Sequence, residues 1–169
     1  MIRFEVADGG ITVTAEAQDA RAVAGLVEQF QELLAEREAA PDRAPGPTGD
    51  PALRRLFPDP VPDDPEDSAE VRELTGPALL EHKRTNAALV ARSLEARRRL
   101  DPREELAWLQ WLTDIRLVLA ARLGIELDGD EGTAESAADR AMRWTYHALG
   151  ALQADLLEAI DARGSGTGE

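Results

Sequence analysis

The side chains best suited to acid–base or metal chemistry are few and poorly spaced in this sequence. The only histidines are His82 and His147, and neither has Glu or Asp three residues before it, so the Glu-x-x-His spacing of di-iron helical bundles is missing. The chain has no cysteine, which excludes disulfides and thiolate metal sites. Walker loops and the G-x-S-x-G motif of serine hydrolases are also missing. We therefore expect no catalytic residue, no metal site and no cofactor, and predict that the protein is not an enzyme.

The acidic run that begins at Asp128 shares only its outline with a calcium-binding loop. Carboxylates recur at alternate positions, but the sixth position holds Thr133 where the loop needs glycine, and the twelfth holds Asp139 instead of Glu. We interpret this run as a solvated connection between helices.

Five arginines cluster near a turn between two predicted helices. They are Arg92, Arg97, Arg98, Arg99 and Arg103. Such a cluster can contact phosphate, but neither interleaved aromatic residues nor a recognition helix accompany it. Arginines at the C-terminus of a helix are also favoured by the helix dipole. A phosphate or nucleic-acid contact through Arg97, Arg98 and Arg99 therefore stays as an alternative to a structural role.

One further arginine is placed among leucines. By helical angle, Arg116 falls within an apolar face formed by Leu109, Leu112 and Leu123. A guanidinium group in such a place needs an acid or a carbonyl as its partner. We predict that Arg116 is a buried structural cation, paired with an acid on a neighbouring helix, with ligand binding as the alternative.

The last predicted helix has a second apolar face. Its main stripe consists of Met142, Tyr146, Leu149, Leu156 and Ile160. Trp144 lies about 160° around the helix from Met142, on the side of His147, Ala148 and Ala151. Because a large aromatic residue among small ones is typical of protein interfaces, we predict that these four residues bind a partner. Cover by the chain's own hairpin or proline-rich loop is the alternative.

The helix on which the other elements must pack is predicted over 101–125. Asp101 is a good N-cap, Pro102 suits the first helical position, and Glu104 completes a capping box. Gly124 suits the left-handed residue that ends a helix. Since this helix is apolar nearly all round, we expect it to be buried at the centre of the molecule.

Other elements are predicted around it. The alternation of apolar and polar residues around Asp8–Gly9–Gly10 predicts an N-terminal β-hairpin. Helices are expected over 16–38 and 51–57, in a short segment opened by Asp64 and Pro65, from Pro77 to about Arg98, and over 134–162. The sequence thus predicts a mainly α protein, an irregular helical bundle forming one domain over 1–163. A flexible Pro/Gly-rich loop is expected at about 39–50 and a disordered tail at 164–169.

Charge and hydropathy argue against some classes of binding partner. The formal net charge of −14 repels both nucleic acid and anionic membranes at long range. The N-terminus has no apolar stretch typical of a signal peptide, and no long apolar run occurs elsewhere. We therefore expect a cytoplasmic protein without a membrane contact.

Four stretches of the chain resemble a known family. They read DPALRRLFPDPVPDDPEDSAEVRELT, EHKRTNAALVARSL, WLTDIRLVLAARLGI and ALGALQADLLEAI, and the resemblance spans about 2–160. The family is the actinobacterial domain of unknown function DUF2017. The resemblance implies a gene that commonly neighbours that of the ClpS-type adaptor of Clp proteolysis, and members are sometimes labelled transcriptional regulators. It implies no catalytic residues.

Together these observations predict a non-enzymatic regulatory or adaptor protein that acts through protein–protein contacts. The resemblance indicates a partner from the transcription or proteolysis machinery, and a homo-oligomer is compatible with the sequence. A direct nucleic-acid-binding regulator is the second hypothesis. A small-molecule-binding or enzymatic helical bundle is the third.

Overall fold

A computed structural model describes residues 1–39, 49–61, 64–95, 97–127, 130, 132 and 136–165. In chain order the elements are β1 (Ile2–Ala7), β2 (Gly10–Ala15), α1 (Ala17–Ala39), α2 (Pro51–Leu56), α3 (Pro65–Ser93), β3 (Arg98–Leu100), α4 (Pro102–Leu123) and α5 (Ala137–Ser165). The mainly α fold with an N-terminal hairpin is confirmed.

Helix α4 occupies the centre of the bundle and contacts α2, α3 and α5. Its start carries the predicted capping box, in which Asp101 and Glu104 each accept a hydrogen bond from the other's backbone N–H. Its end is a Schellman motif, because Gly124 has φ 68° and the N–H of Ile125 donates to the carbonyl of Ala120 at 2.9 Å. The core position of α4 follows from its side chains, of which Trp108, Trp111 and Leu112 are fully buried.

The hairpin joins β1 and β2 through a tight turn. Asp8 and Gly9 both have positive φ, as a type I′ turn requires, and Val6 pairs with Ile11 across the strands. The apolar face of the hairpin points into the bundle, where Ile11 and Val13 are buried. Strand β1 contacts α5.

A third strand was not predicted. The helix expected to reach Arg98 ends at Ser93, and β3 pairs antiparallel with β2 through Ile11–Leu100 and Val13–Arg98. The sheet order is therefore β1-β2-β3. Arg98 and Arg99 lie on this strand, so the helix-dipole explanation does not apply to them, whereas Arg92 does lie in the last turn of α3.

Helix α3 is one continuous helix, whereas the sequence predicted two helices separated at Pro77. Asp64 caps its start as expected and accepts hydrogen bonds from the N–H groups of Glu66 and Asp67. Pro77 lies inside the helix, where the carbonyl of Glu73 lacks its usual donor. Both residues are exposed, so water can hydrate that carbonyl and the helix need not end.

Helix α5 begins with a second capping arrangement, since Ser136 and Asp139 each donate a backbone N–H to the other's side chain. The predicted start at Ala134 lies outside the described residues, as do the loop at 40–48 and residues 166–169. The helix includes Gly164 and Ser165, two residues of the predicted tail. Within the described residues, the helices lack an apolar stretch of the length that a bilayer crossing requires.

Candidate functional site

The outer face of α5 is exposed along the segment that holds the four predicted partner-binding residues. The inner face of the helix packs into the core through Leu149, Leu152 and Leu156. Trp144 lies about 140° around the helix from Leu149, and 73% of its surface is exposed. His147, Ala148 and Ala151 are exposed beside it. The structure therefore brings all four residues together on one accessible face.

The chain's own hairpin does not cover Trp144, because the side chain keeps most of its surface accessible in the presence of β1 and β2. Phe57, the residue after α2, is buried in the core instead. The proline-rich loop, the other cover considered, lies outside the described residues. His147 contacts the ring of Tyr146 edge-on, with centroids 5.4 Å apart, which fixes one border of the exposed face.

The three arginines of the predicted phosphate contact all bind oxygen atoms of the chain itself. Arg98 Nη2 lies 2.7 Å from Glu104 Oε1, and Arg99 Nη2 donates to the carbonyl of Asp8 at 3.1 Å. Arg97 Nη2 lies 3.6 Å from Glu5 Oε2. These contacts tie β3 to the hairpin and to the start of α4, which gives the cluster a structural role.

Arg116 has different partners from those predicted. It is half-buried, and no acid is its ion-pair partner among the described residues. Its Nη1 donates to Gln153 Oε1 at 2.8 Å and its Nη2 to the hydroxyl of Tyr146 at 3.3 Å, while the guanidinium carbon lies 4.9 Å from the centroid of that ring. The prediction of an acid partner is wrong. An amide and an aromatic face stabilise the cation, and the exposed fraction reduces the need for a counter-charge.

The buried ion pair of the molecule's centre is Lys83–Asp114 instead. Lys83 Nζ on α3 lies 2.7 Å from Asp114 Oδ1 on α4, and both side chains are almost fully enclosed. Burial raises the pKa of Asp114 above its ordinary value, and the positive charge of Lys83 only partly opposes this rise. The pair therefore joins two helices at a substantial desolvation cost.

A short polar network continues from this pair along the α3–α4 contact. Gln110 Oε1 accepts from Asn86 Nδ2 at 2.7 Å and lies 2.8 Å from His82 Nε2. The ring of Phe57 lies against this region, with Lys83 Nζ 5.8 Å from its centroid. Because these groups bond to one another, the network can fix the register of α3 against α4.

Sequence reasoning missed this network, although a signal was present. Gln110 and Asp114 form a narrow polar strip on a helix that is mostly buried, and such a strip is expected to meet polar groups of a neighbouring helix. Lys83 and Asn86 supply matching polar groups three residues apart on α3. The pairing of the two strips could have been proposed from these spacings.

Features suited to small molecules are modest in the described part of the chain. A groove of about 440 Å³ between α1 and α3 is lined by Gln31, Glu81, Arg84, Thr85 and Ala88. Four of these five residues carry polar or charged side chains, whereas ligand pockets are lined mainly by aliphatic and aromatic ones. No group of three or more His, Cys, Asp or Glu side chains is placed to hold a metal ion in the part of the chain that the structure describes.

Comparison with protein families gave one match, to a family model described as a domain of unknown function, over residues 1–160. Comparison with curated proteins and with solved structures gave no significant match.

Proposed function

The chain belongs to the DUF2017 family, and we propose that it is a non-enzymatic regulatory or adaptor protein that acts through protein–protein contacts. The observation that carries this proposal is the exposed face of α5 around Trp144. We propose a cytoplasmic protein of the transcription or proteolysis machinery as its partner.

The exposure of Trp144 supports a binding role because an indole ring has a large apolar surface. Aromatic side chains of this kind can bury about 150–250 Å² each, and tryptophan is enriched among the residues that dominate interface energies. Ala148 and Ala151 beside it leave room for a partner's side chains or backbone to approach α5 closely. The face thus combines one large aromatic side chain with a flat surface of small side chains beside it.

The test is capture of a partner from a native lysate by the tagged full chain and by Trp144→Ala. We expect Trp144→Ala to retain less than about a tenth of the specifically captured protein, which corresponds to the loss of a hot-spot residue. Because Trp144 is exposed, its replacement should change the free energy of unfolding by less than about 0.5 kcal/mol.

Leu74→Ala is the matched control, since Leu74 is a comparably exposed apolar residue, at 74%, on α3. It should capture the same protein as the unsubstituted chain. Equal capture by Trp144→Ala, with the variant folded, would remove the α5 face from the proposal.

A further inference from the structure

The outer face of α5 is complementary in charge to itself. Six exposed residues lie within about 80° of one another around the helix, and they are Arg140, Trp144, Ala148, Ala151, Asp155 and Glu158. The positive charge, Arg140, lies in the N-terminal half of this face. The two negative charges, Asp155 and Glu158, lie in the C-terminal half.

We propose that α5 pairs antiparallel with α5 of a second copy of this chain, about a two-fold axis that passes between Ala148 and Ala151. In such a pair, Ala148 of one copy faces Ala151 of the other. Trp144 precedes Ala148 by four residues and Asp155 follows Ala151 by four, so these two residues face each other as well. Arg140 precedes Ala148 by eight residues, and Glu158 follows Ala151 by seven. Arg140 of one copy and Glu158 of the other therefore lie at heights along the paired helices that differ by about 1.5 Å.

The size of the side chains fits this arrangement. Alanines at the axis allow the two helices to approach closely. The indole ring of each Trp144 then packs over Ala151 and the aliphatic part of Asp155 of the other copy. Two Arg140–Glu158 pairs close the ends of the interface. Because the same patch serves both copies, the contact is isologous and stops at a dimer.

The net charge of −14 opposes self-association at long range, but it does not decide the outcome at this face. At physiological ionic strength, exposed charges further apart than about 8 Å are largely screened. The charges that face each other within this interface are of opposite sign. The local arrangement therefore favours the antiparallel pair over the parallel one, in which like charges would meet.

This inference rests on the proposed function for its biological consequence, since both assign an occupant to the same face. A second copy that covers Trp144 would exclude another protein from it. Self-association would then hold the adaptor in a form that a partner must dissociate, and the available partner-binding surface would fall as the concentration of the chain rises.

The first test is sedimentation velocity of the full chain over a range of concentrations. We expect a concentration-dependent monomer–dimer equilibrium that Ala151→Glu weakens at least tenfold, because it places two carboxylates near the axis. Asp161→Lys, on α5 but about 90° away from this face, is the control and should dimerise like the unsubstituted chain. A chain that stays monomeric at concentrations up to about 100 μM would overturn the proposal. So would a dimer whose affinity Ala151→Glu leaves unchanged.

The second test uses charge reversal and is specific to a two-fold pairing. Arg140→Glu alone and Glu158→Arg alone each place like charges opposite each other at both ends of the dimer, and each should weaken dimerisation about tenfold. An equimolar mixture of the two variants restores opposite charges at both ends, so a heterodimer of near-original affinity should form. Circular dichroism checks that both variants are folded. Failure of the folded mixture to associate better than either variant alone would contradict this pairing.

The two proposals can fail separately. A monomeric chain whose Trp144 is required for capture of another protein removes the self-pairing and leaves the adaptor function. A dimer that is lost in Ala151→Glu, but whose dissociation yields no Trp144-dependent capture, supports the pairing and contradicts the adaptor function.

Discussion

Lys83 and Asp114 depend on each other because neither charge is well solvated between α3 and α4. Lys83→Met should therefore destabilise the protein by about 3–5 kcal/mol at pH 7, since it strands a buried carboxylate. The double variant Lys83→Met/Asp114→Leu should recover most of this loss, because it removes both desolvation costs. Urea denaturation of Lys83→Met, of Asp114→Leu and of the double variant gives the coupling free energy between the two side chains. Additive losses would show that the two charges do not interact.

The pH dependence of the same variant gives a second readout. Burial raises the pKa of Asp114 above 3.8, so the native state binds this proton more tightly than the unfolded chain does. The group therefore favours folding most below pH 3.8, and this contribution is lost as the pH rises through the folded pKa. Without Lys83 the folded pKa rises further. The cost of Lys83→Met should accordingly shrink as the pH is lowered from 7 towards 4.

At the scale of single residues, the sequence shows on which side of its own helix a residue lies, but not what covers that side. The helical angle places Trp144, His147, Ala148 and Ala151 together on α5, away from its apolar stripe, and the structure leaves that side exposed. The partner of Arg116 could not be derived in the same way, because it depends on which residues of α5 stand opposite α4. The angle placed Arg116 towards a neighbour, and only the packing placed Gln153 and Tyr146 there.

Among the elements, α4 is the one on which the bundle depends. Leu112 is fully buried at its centre, so Leu112→Ala should cost about 2–5 kcal/mol through lost burial and the cavity left behind. Leu106→Ala is the matched control, because Leu106 lies on the same helix and is 51% exposed. Its cost should stay below about 1 kcal/mol. Similar losses for the two variants in chemical denaturation would contradict the central position of α4.

Helix α3 carries two poor helix formers in adjacent positions, Gly76 and Pro77. A Cβ atom added to Gly76 would meet no atom within 4 Å outside its chain neighbours and its own helix backbone. It would still crowd the Cδ of Pro77, because a residue before proline is disfavoured in the helical conformation. Gly76→Ala should therefore stabilise the protein by less than the ~1 kcal/mol usual for a glycine inside a helix. Thermal unfolding measures the gain. Gly124→Ala is the opposite control, since its left-handed conformation penalises a side chain and stability should fall. A loss of stability in Gly76→Ala would show that the helix needs a glycine before Pro77.

Elements with strong end signals were predictable, and those without them were not. The ends of α4 follow from Asp101, Glu104 and Gly124, because caps act within one turn of the chain. Strand β3 has only three residues, and it exists because β2 offers Leu100 a place beside Ile11. No local pattern encodes such a contact, because residues 11 and 100 lie 89 positions apart. Pro77 gave a local signal for the start of a new helix, but the carbonyl that it leaves without a donor is on the exposed side of α3 and the helix continues through it.

At the scale of the whole molecule, the polar and charged groups fall into regions with different roles. The arginines of β3 hold the hairpin against α4, and the polar strips of α3 and α4 meet in the interior. The outer face of α5 is left exposed with its single tryptophan. This division favours contacts with other protein surfaces over contacts with phosphate.

A direct test of that preference is the affinity of the purified chain for duplex DNA. We expect no binding tighter than about 100 μM at physiological salt, which is the weak end of the range of about 100 to 1 μM typical of non-specific DNA binding. Two features underlie this expectation, namely the net charge of −14 and the internal contacts of Arg98 and Arg99. Fluorescence anisotropy over a salt series measures this affinity.

Arg97→Gln is an informative variant, because Arg97 is 68% exposed at its side chain and can be replaced without breaking the Arg98–Glu104 bond. Tight, salt-sensitive binding that Arg97→Gln weakens would instead make the β3 edge a phosphate-binding surface and favour the nucleic-acid-binding regulator.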